Sequence, residues 1–184
     1  MLLTHADCHL VIIDIQDKLL PAMADSAGVL ANAVKLASAA RHFGVPITIS
    51  EQYPKGIGAT VPQLRAAAGP DAALFEKMEF SCARNAALRE RAATISRAGR
   101  PQMIMCGIEA HVCVLQSAIG FADLGHGVAV AADAISSRLP ASKDMALARL
   151  ARSVIMPVTT EMVLFEWLER AGTADFKALL GLIK

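Results

Sequence analysis

The chain has 184 residues and a formal net charge of +1, with 54% apolar and 19% charged residues. This length is typical of one domain with a sizeable core, so residues 1–184 are predicted to form a single domain. The near-zero net charge gives no electrostatic reason to expect nucleic acid or an acidic membrane as a partner. The surplus of apolar residues favours a homo-oligomer.

The beginning of the chain and its cysteines indicate a cytoplasmic protein. The apolar run 10–13 is cut by Asp14 and lacks a basic leader, and no stretch has the length of a membrane span. The cysteines show no zinc-type spacing, and without a secretory signal they do not argue for disulfides. They are Cys8, Cys82, Cys106 and Cys113.

Short apolar runs alternate with longer helical patterns, which favours crossover units and a parallel sheet covered on both faces. Strands are predicted at 8–13, 46–50, 73–76, 102–106, 128–132 and 154–158. Helices are predicted from a Ser26 cap to Gly44, at 84–98 and 110–124, from a Ser142 cap to 152, at 159–170 and at 175–183. The predicted fold is therefore an α/β protein, a three-layer α/β/α sandwich with a six-stranded parallel sheet in the order 3-2-1-4-5-6.

The segment 51–70 departs from this alternation. It is rich in Gly and Pro and has no helix or strand pattern before about Gln63. Two interpretations stay open: a plain surface loop, or a substrate loop at the carboxyl end of the second strand, where such sheets bind ligands.

The stretch 103–113 carries the clearest chemical signal. An apolar run ends at Cys106-Gly107, the chain turns, and a helical pattern begins near Ala110, which would put Cys113 in the first helical turn. Free N–H groups and the helix dipole favour a thiolate there, and the thiolate is the reactive form of cysteine. Cys113 is therefore a candidate nucleophile.

Two further residues should meet Cys113 in space. Asp14 ends the first strand and Lys77 follows the third, and the predicted strand order brings all three to one crevice at the carboxyl edge of the sheet. Asp14 could accept the thiol proton, Lys77 could hold the charges, and backbone N–H groups could bind an oxyanion.

Each residue also has a plain structural interpretation. Cys113 could be a small buried hydrophobe, Asp14 a cap and Lys77 a solvated charge. His111 is two positions from Cys113 on a helix, so it is expected to line the pocket and not to act as the base. The other histidines are expected at the surface or in turns: His5, His9, His42 and His126.

Several segments, in order, resemble the isochorismatase-like cysteine hydrolase family over essentially the whole chain. They are 11–17 (Val-Ile-Ile-Asp-Ile-Gln-Asp), 75–77 (Phe-Glu-Lys), 106–113 (Cys-Gly-Ile-Glu-Ala-His-Val-Cys), 131–138 (Ala-Ala-Asp-Ala-Ile-Ser-Ser-Arg) and 158–161 (Val-Thr-Thr-Glu). Residues 51–58 (Glu-Gln-Tyr-Pro-Lys-Gly-Ile-Gly) are similar to the isochorismatase domain-containing proteins.

The resemblance implies a catalytic triad of Asp14, Lys77 and Cys113, and a non-proline cis peptide at Ile108–Glu109 that would shape the oxyanion pocket. Substrate-binding positions are expected at Gln16, Tyr53 and Phe80. Nicotinamidases of this family bind a metal after the second strand, but no histidine occurs between His42 and His111. Neither a metal nor another cofactor is therefore expected.

The retained cysteine favours hydrolysis of a small amide or ureide through a thioester. Two alternatives stay open: hydrolysis of a vinyl ether, as in true isochorismatases, and a catalytically idle module that binds a ligand or partner in the same crevice. A nucleotide-binding Rossmann domain is disfavoured, because the turn after the first strand lacks a Gly-rich phosphate cradle.

Overall fold

The structure, a computed structural model, describes residues 2–183. Six parallel strands form one sheet in the order β3-β2-β1-β4-β5-β6, which confirms the predicted order. The strands are β1 (Cys8–Ile13), β2 (Ile47–Gln52), β3 (Ala73–Lys77), β4 (Gln102–Ile108), β5 (Gly127–Ser136) and β6 (Met156–Val158).

Eight α-helices are described, and they cover both faces of the sheet. They are α1 (Ser26–His42), α2 (Pro54–Ile57), α3 (Pro62–Ala68), α4 (Ala86–Arg97), α5 (Leu115–Asp123), α6 (Pro140–Leu150), α7 (Thr160–Leu168) and α8 (Ala174–Ile183). Among the described residues, no helix combines the length and the apolar character that crossing a bilayer requires.

Two apolar cores, one on each face, hold the layers together. Alternate residues of β1 point to opposite faces: Leu10 and Ile12 enter the core under α1, α3, α7 and α8, whereas Val11 and Ile13 enter the core under α4, α5 and α6. All six residues of β1 are buried, as expected for a central parallel strand.

Four predicted strands end too early. The observed strands continue to Gln52, Lys77, Ile108 and Ser136, where the predictions stopped at 50, 76, 106 and 132. Polar residues fill most of these last positions, and sequence periodicity favours apolar ones. They remain in the sheet because their side chains are buried by the neighbouring strands and loops.

Two predicted helix caps were wrong. Asp25, and not Ser26, caps α1 through its side chain, which accepts a hydrogen bond from the Gly28 N–H at 2.9 Å. Helix α6 begins at Pro140, ahead of Ser142, because the fixed φ of proline suits a first helical position. The same effect begins α2 and α3 inside the segment that was predicted to lack helices before Gln63.

One histidine was also misplaced by the sequence interpretation. His9 lies within β1, is 2% exposed, and its Nε2 lies 2.8 Å from Thr48 Oγ1 on β2. Burial lowers the pKa of His9 to about 3, so the ring is neutral. It is a hydrogen-bonded core residue and not a surface residue.

Candidate active site

Asp14 lies directly after β1, at the carboxyl edge of the sheet. Its backbone adopts the left-handed region at φ +54°, and its N–H donates to the Ser50 carbonyl of β2 at 3.1 Å. On the other side β4 approaches closely through Gly107, where a Cβ would lie 2.0 Å from the Ile13 carbonyl oxygen. The two neighbouring strands thus fix the backbone that carries the Asp14 carboxylate.

The Asp14 carboxylate is fully buried and bonded at both oxygens. Lys77 Nζ donates to Oδ2 at 2.6 Å, and Ser50 Oγ donates to Oδ1 at 2.7 Å. Burial raises the pKa of Asp14, although the Lys77 charge and these hydrogen bonds act in the opposite direction. A raised pKa makes Asp14 a stronger proton acceptor than an ordinary carboxylate.

Lys77 ends β3 and reaches Asp14 across β2. Burial is the largest single influence on the pKa of Lys77 and lowers it, but the Asp14 charge, with smaller contributions from Cys82, Cys113 and the hydrogen bond to Asp14, raises the pKa overall. The ammonium group also donates to Gln52 Oε1 at 2.7 Å and, at 3.5 Å, to the Phe80 carbonyl. Since the last contact is long, one ammonium proton is only weakly engaged within the protein.

Cys113 lies in a single π-helical turn, Ala110–Val114, that precedes α5. The sulfur-bearing residue is 7% exposed. Burial, and then the Asp14 charge, raise the pKa of the Cys113 thiol to about 12, with hydrogen bonding to Asp14 acting in the same direction. The helix start and Lys77 were expected to favour the thiolate, but burial and Asp14 act in the opposite direction, and the raised pKa favours the neutral thiol.

The segment before Cys113 is held by an ion pair. The Ile108–Glu109 peptide bond is cis. The Glu109 carboxylate accepts hydrogen bonds from Arg138, at 2.9 Å from its backbone N and at 3.2 Å from its Nε. The side chain of Glu109 thus joins the carboxyl ends of β4 and β5.

Backbone donors lie at the start of the Cys113 turn. Within residues 2–183, the N–H groups of Ala110 and His111 have no hydrogen-bond partner. Free N–H groups at a helix start can bind a developing oxyanion. The His111 ring is turned to Ser137, with Nδ1 3.0 Å from Oγ, which leaves the side chain outside the Asp14–Lys77 pair.

The Gln16 side chain is hydrogen-bonded to backbone groups of the protein. Its side chain is fully buried, and its Nε2 donates to the carbonyls of Gln52 and Gly58 at 3.0 and 2.6 Å. Its Oε1 accepts from the Gln52 N–H at 2.8 Å. The amide of Gln16 thus holds the segment 52–58 to β1, and its contact with a substrate stays a prediction.

Tyr53 and Phe80 lie at the outer rim. A cleft of about 370 Å³ opens along the end of β3 and is lined by Tyr53, Lys55, Lys77, Met78 and Glu79, among others. Of the predicted triad, Lys77 is the residue that lines this cleft, although its side chain has no exposed surface. Phe80 is 56% exposed beside it and contributes its backbone carbonyl to Lys77.

The structure also brings in polar residues that sequence reasoning missed. Ser50 and Gln52 lie two positions apart on β2 and contact Asp14 and Lys77, respectively. Cys82 lies behind them, with its Sγ 3.6 Å from Ser50 Oγ. The available signal was the apolar-polar alternation of residues 47–50, followed by two more polar residues, in a strand that is buried on both faces.

No metal cluster emerges from the described part of the chain, where no three His, Cys, Asp or Glu side chains are placed to hold an ion. Glu51, in the last part of β2, is buried. Its Oε1 accepts from Thr60, at 2.6 Å from N and at 2.7 Å from Oγ1. The carboxylate therefore ties the loop to β2.

A family model for the isochorismatase domain matches residues 8–162. The chain belongs to the isochorismatase family. At the family level it is an isochorismatase-type hydrolase. Isochorismatase domain-containing protein 2 of Danio rerio is 34% identical over 175 residues, which cover 95% of this chain and 85% of the relative.

Solved structures support the fold. A structure described as MAR1 ribonuclease from Caenorhabditis elegans superposes with a TM-score of 0.92 at 27% identity and covers 100% of this chain and 92% of its own. The YcaC gene product from Escherichia coli, described as an octameric hydrolase of unknown specificity, gives a TM-score of 0.91 at 22% identity, with 99% and 90% covered. At that identity the second likeness concerns the fold alone.

Proposed function

We propose that the protein is a cysteine hydrolase of small amide-like substrates, with Cys113 as nucleophile, Asp14 as proton shuttle and Lys77 as electrostatic support. The observation that carries the proposal is the electrostatic coupling of the three side chains. Asp14 raises the pKa of both Cys113 and Lys77, and it is bonded to Lys77 at 2.6 Å.

In the first half of the reaction, the Cys113 thiol gives its proton to Asp14 while sulfur forms a bond to the substrate carbonyl carbon. The raised pKa of Cys113 makes the proton transfer essential, because almost no thiolate exists beforehand. The N–H groups of Ala110 and His111, near the Ile108–Glu109 peptide, would bind the oxyanion. Asp14 then returns the proton to the leaving nitrogen as the C–N bond breaks.

In the second half, water replaces the amine. Asp14 accepts a proton from water as its oxygen attacks the thioester carbon, the C–S bond breaks, and Asp14 returns that proton to the sulfur of Cys113. Lys77 stays protonated throughout and compensates the negative charge that moves between Asp14 and the sulfur.

A mass-spectrometric trap tests the proposal. The protein is incubated with a panel of small amides and ureides, and the intact mass is recorded with product release. We expect hydrolysis and a transient acyl adduct in the wild type, and neither in Cys113→Ala. Cys106→Ala is the matched control, because Cys106 is a fully buried cysteine whose pKa burial likewise raises to about 12, but it lies in the core on the opposite face of the sheet from Cys113.

Vinyl-ether hydrolysis is the second candidate, and the raised pKa of Asp14 favours it. A carboxyl that holds its proton to a higher pH can protonate an enol ether without any sulfur nucleophile. In that case Cys113→Ala would retain activity on a vinyl ether while Asp14→Asn loses it. If the wild type hydrolyses neither the amides nor the vinyl ethers and binds a ligand or partner stably, an idle binding module is supported.

We further propose that the protein assembles into a homo-oligomer. Large apolar side chains are exposed near the carboxyl edge of the sheet, including Met78 at 68%, Phe80 at 56% and Leu139 at 66%. The Escherichia coli structural neighbour is described as octameric. Light scattering coupled to size exclusion tests this, and a monomeric mass at micromolar concentration would contradict it.

A further inference from the structure

Ser50 contacts Asp14 through both its main chain and its side chain. The Ser50 carbonyl accepts from the Asp14 N–H at 3.1 Å, and Ser50 Oγ donates to Asp14 Oδ1 at 2.7 Å. Ser50 is fully buried. The reaction steps above do not use this residue, yet it contacts the proton shuttle more extensively than Lys77 does.

Cys82 is the second hydrogen-bond partner of the Ser50 hydroxyl. Cys82 Sγ donates to Ser50 Oγ at 3.6 Å. A hydroxyl has one proton, so an oxygen that accepts from Cys82 can direct its own proton at Asp14. Cys82 is itself fixed, because its backbone N–H donates to Ser117 Oγ at 2.8 Å, one helical turn beyond Cys113.

The hydrogen bonds from Lys77 and from Ser50 hold the two oxygens of the Asp14 carboxylate. Lys77 engages Oδ2 and Ser50 engages Oδ1, so rotation of the carboxylate is blocked. A hydrogen bond to the ionised form also stabilises that form. The other titratable groups that face Asp14 are Cys113 and Cys82, both of which are neutral thiols because burial raises their pKa.

We propose that Ser50, oriented by Cys82, is a positioning residue that fixes the Asp14 carboxylate and supports its ionised form beside Cys113. The hydrogen-bonded chain from Cys82 through Ser50 to Asp14 is called the relay below. Its catalytic role rests on the proposed function, but its effect on the pKa of Asp14 can be measured without any substrate. Removing the Ser50 hydroxyl should make Asp14 hold its proton to a higher pH.

The test is a carboxyl-carbon NMR titration of Asp14, whose signal is assigned by its loss in Asp14→Asn. We expect Ser50→Ala to move the Asp14 midpoint to higher pH. Cys82→Ala should cause a smaller shift in the same direction, and Cys82→Ser, which keeps a donor, should restore the wild-type midpoint. Thr48→Val is the matched control, because Thr48 is a buried hydroxyl two residues away on β2 that bonds to His9.

An unchanged midpoint in Ser50→Ala overturns the inference, and so does an equal shift in Thr48→Val. If Ser50→Ala does not fold, Cys82→Ala decides, and a midpoint identical to the wild type again overturns it. With an active substrate, Ser50→Ala should lower kcat about tenfold, as expected for one lost hydrogen bond to a charge, with KM little changed. A shifted midpoint without hydrolysis by the wild type would contradict the proposed function and leave the relay intact.

Discussion

Lys77 Nζ lies 2.6 Å from Asp14 Oδ2, and neither side chain has any exposed surface. The two residues are 63 positions apart along the chain. Strand β2 lies between their strands and contributes Ser50 to one partner and Gln52 to the other. Each charge is thus satisfied by its partner and by neutral hydrogen bonds.

The first prediction concerns the cost of breaking this pair. Lys77→Met should lower the free energy of unfolding by about 3–5 kcal/mol, because it leaves a buried carboxylate without its partner. The double variant with Asp14→Asn should recover part of the loss. Arg97→Met is the control, since its pair with Glu90 is exposed and should be dispensable. Urea denaturation measures all three, and additive losses in the double variant would contradict the coupling.

The second prediction is that Asp14→Asn eases formation of the Cys113 thiolate and yet lowers the activity. Asp14→Asn removes the negative charge and replaces one of the two acceptor oxygens by an NH2 donor, and the charge and hydrogen bonding of Asp14 both raise the pKa of Cys113. The thiolate absorbance of Cys113, obtained by subtracting Cys113→Ala, should therefore appear at a lower pH than in the wild type. Turnover should nevertheless fall about 10²–10⁴-fold, because the base is gone. A titration midpoint that does not move would show that Asp14 and Cys113 are not coupled.

The third prediction concerns the loop that carries Tyr53. Gln16→Ala deletes the amide that bonds Gln52 and Gly58, so hydrogen exchange across residues 53–60 should become faster. Gln102→Ala is the matched control. Gln102 is a buried glutamine at the amino end of β4 that bonds the Leu2 carbonyl and the Thr4 N–H. It should lose comparable stability without changing exchange at 53–60, and equal acceleration in both variants would refute the assignment.

The fourth prediction concerns Gly107. Gly107→Ala places a Cβ 2.0 Å from the Ile13 carbonyl oxygen at φ +131°, so strand β4 must move away from β1. The loss of stability should exceed that of Gly125→Ala, which has φ +88° but no atom within 4 Å of its added Cβ. The second variant should cost about 1–2 kcal/mol from backbone strain alone. Thermal denaturation compares the two, and equal losses would rule out the steric argument.

The fifth prediction concerns acid stability. Burial lowers the pKa of His9 from 6.5 to about 3, so between these values the unfolded chain binds a proton that the folded chain does not. Stability should therefore fall as the pH falls through this window, by up to about 1.4 kcal/mol per pH unit from this residue. His9→Asn should make the dependence shallower. Denaturation midpoints between neutral and acidic pH measure it, and parallel curves for the two proteins would contradict it.

Much of the fold follows from local patterns in the sequence. The apolar runs and helix-ending glycines located all six strands and the longer helices, because burial on both faces of a parallel sheet imposes continuous apolar strands. The strand ends were missed where polar side chains such as Gln52 and Lys77 stay in the ladder. Their burial depends on partners that lie far away in sequence.

The sequence by itself predicted the family, the strand order and the candidate residues Asp14, Lys77 and Cys113. These predictions follow from short motifs and from the alternation of strands and helices along the chain. Only the tertiary structure decided that Cys113 is protonated, that the Gln16 amide binds the loop backbone, and that Cys82 and Ser50 form a relay to Asp14. The reason is physical. A pKa or a hydrogen bond depends on what surrounds a group in space, and burial beside the Asp14 carboxylate raises the pKa of Cys113.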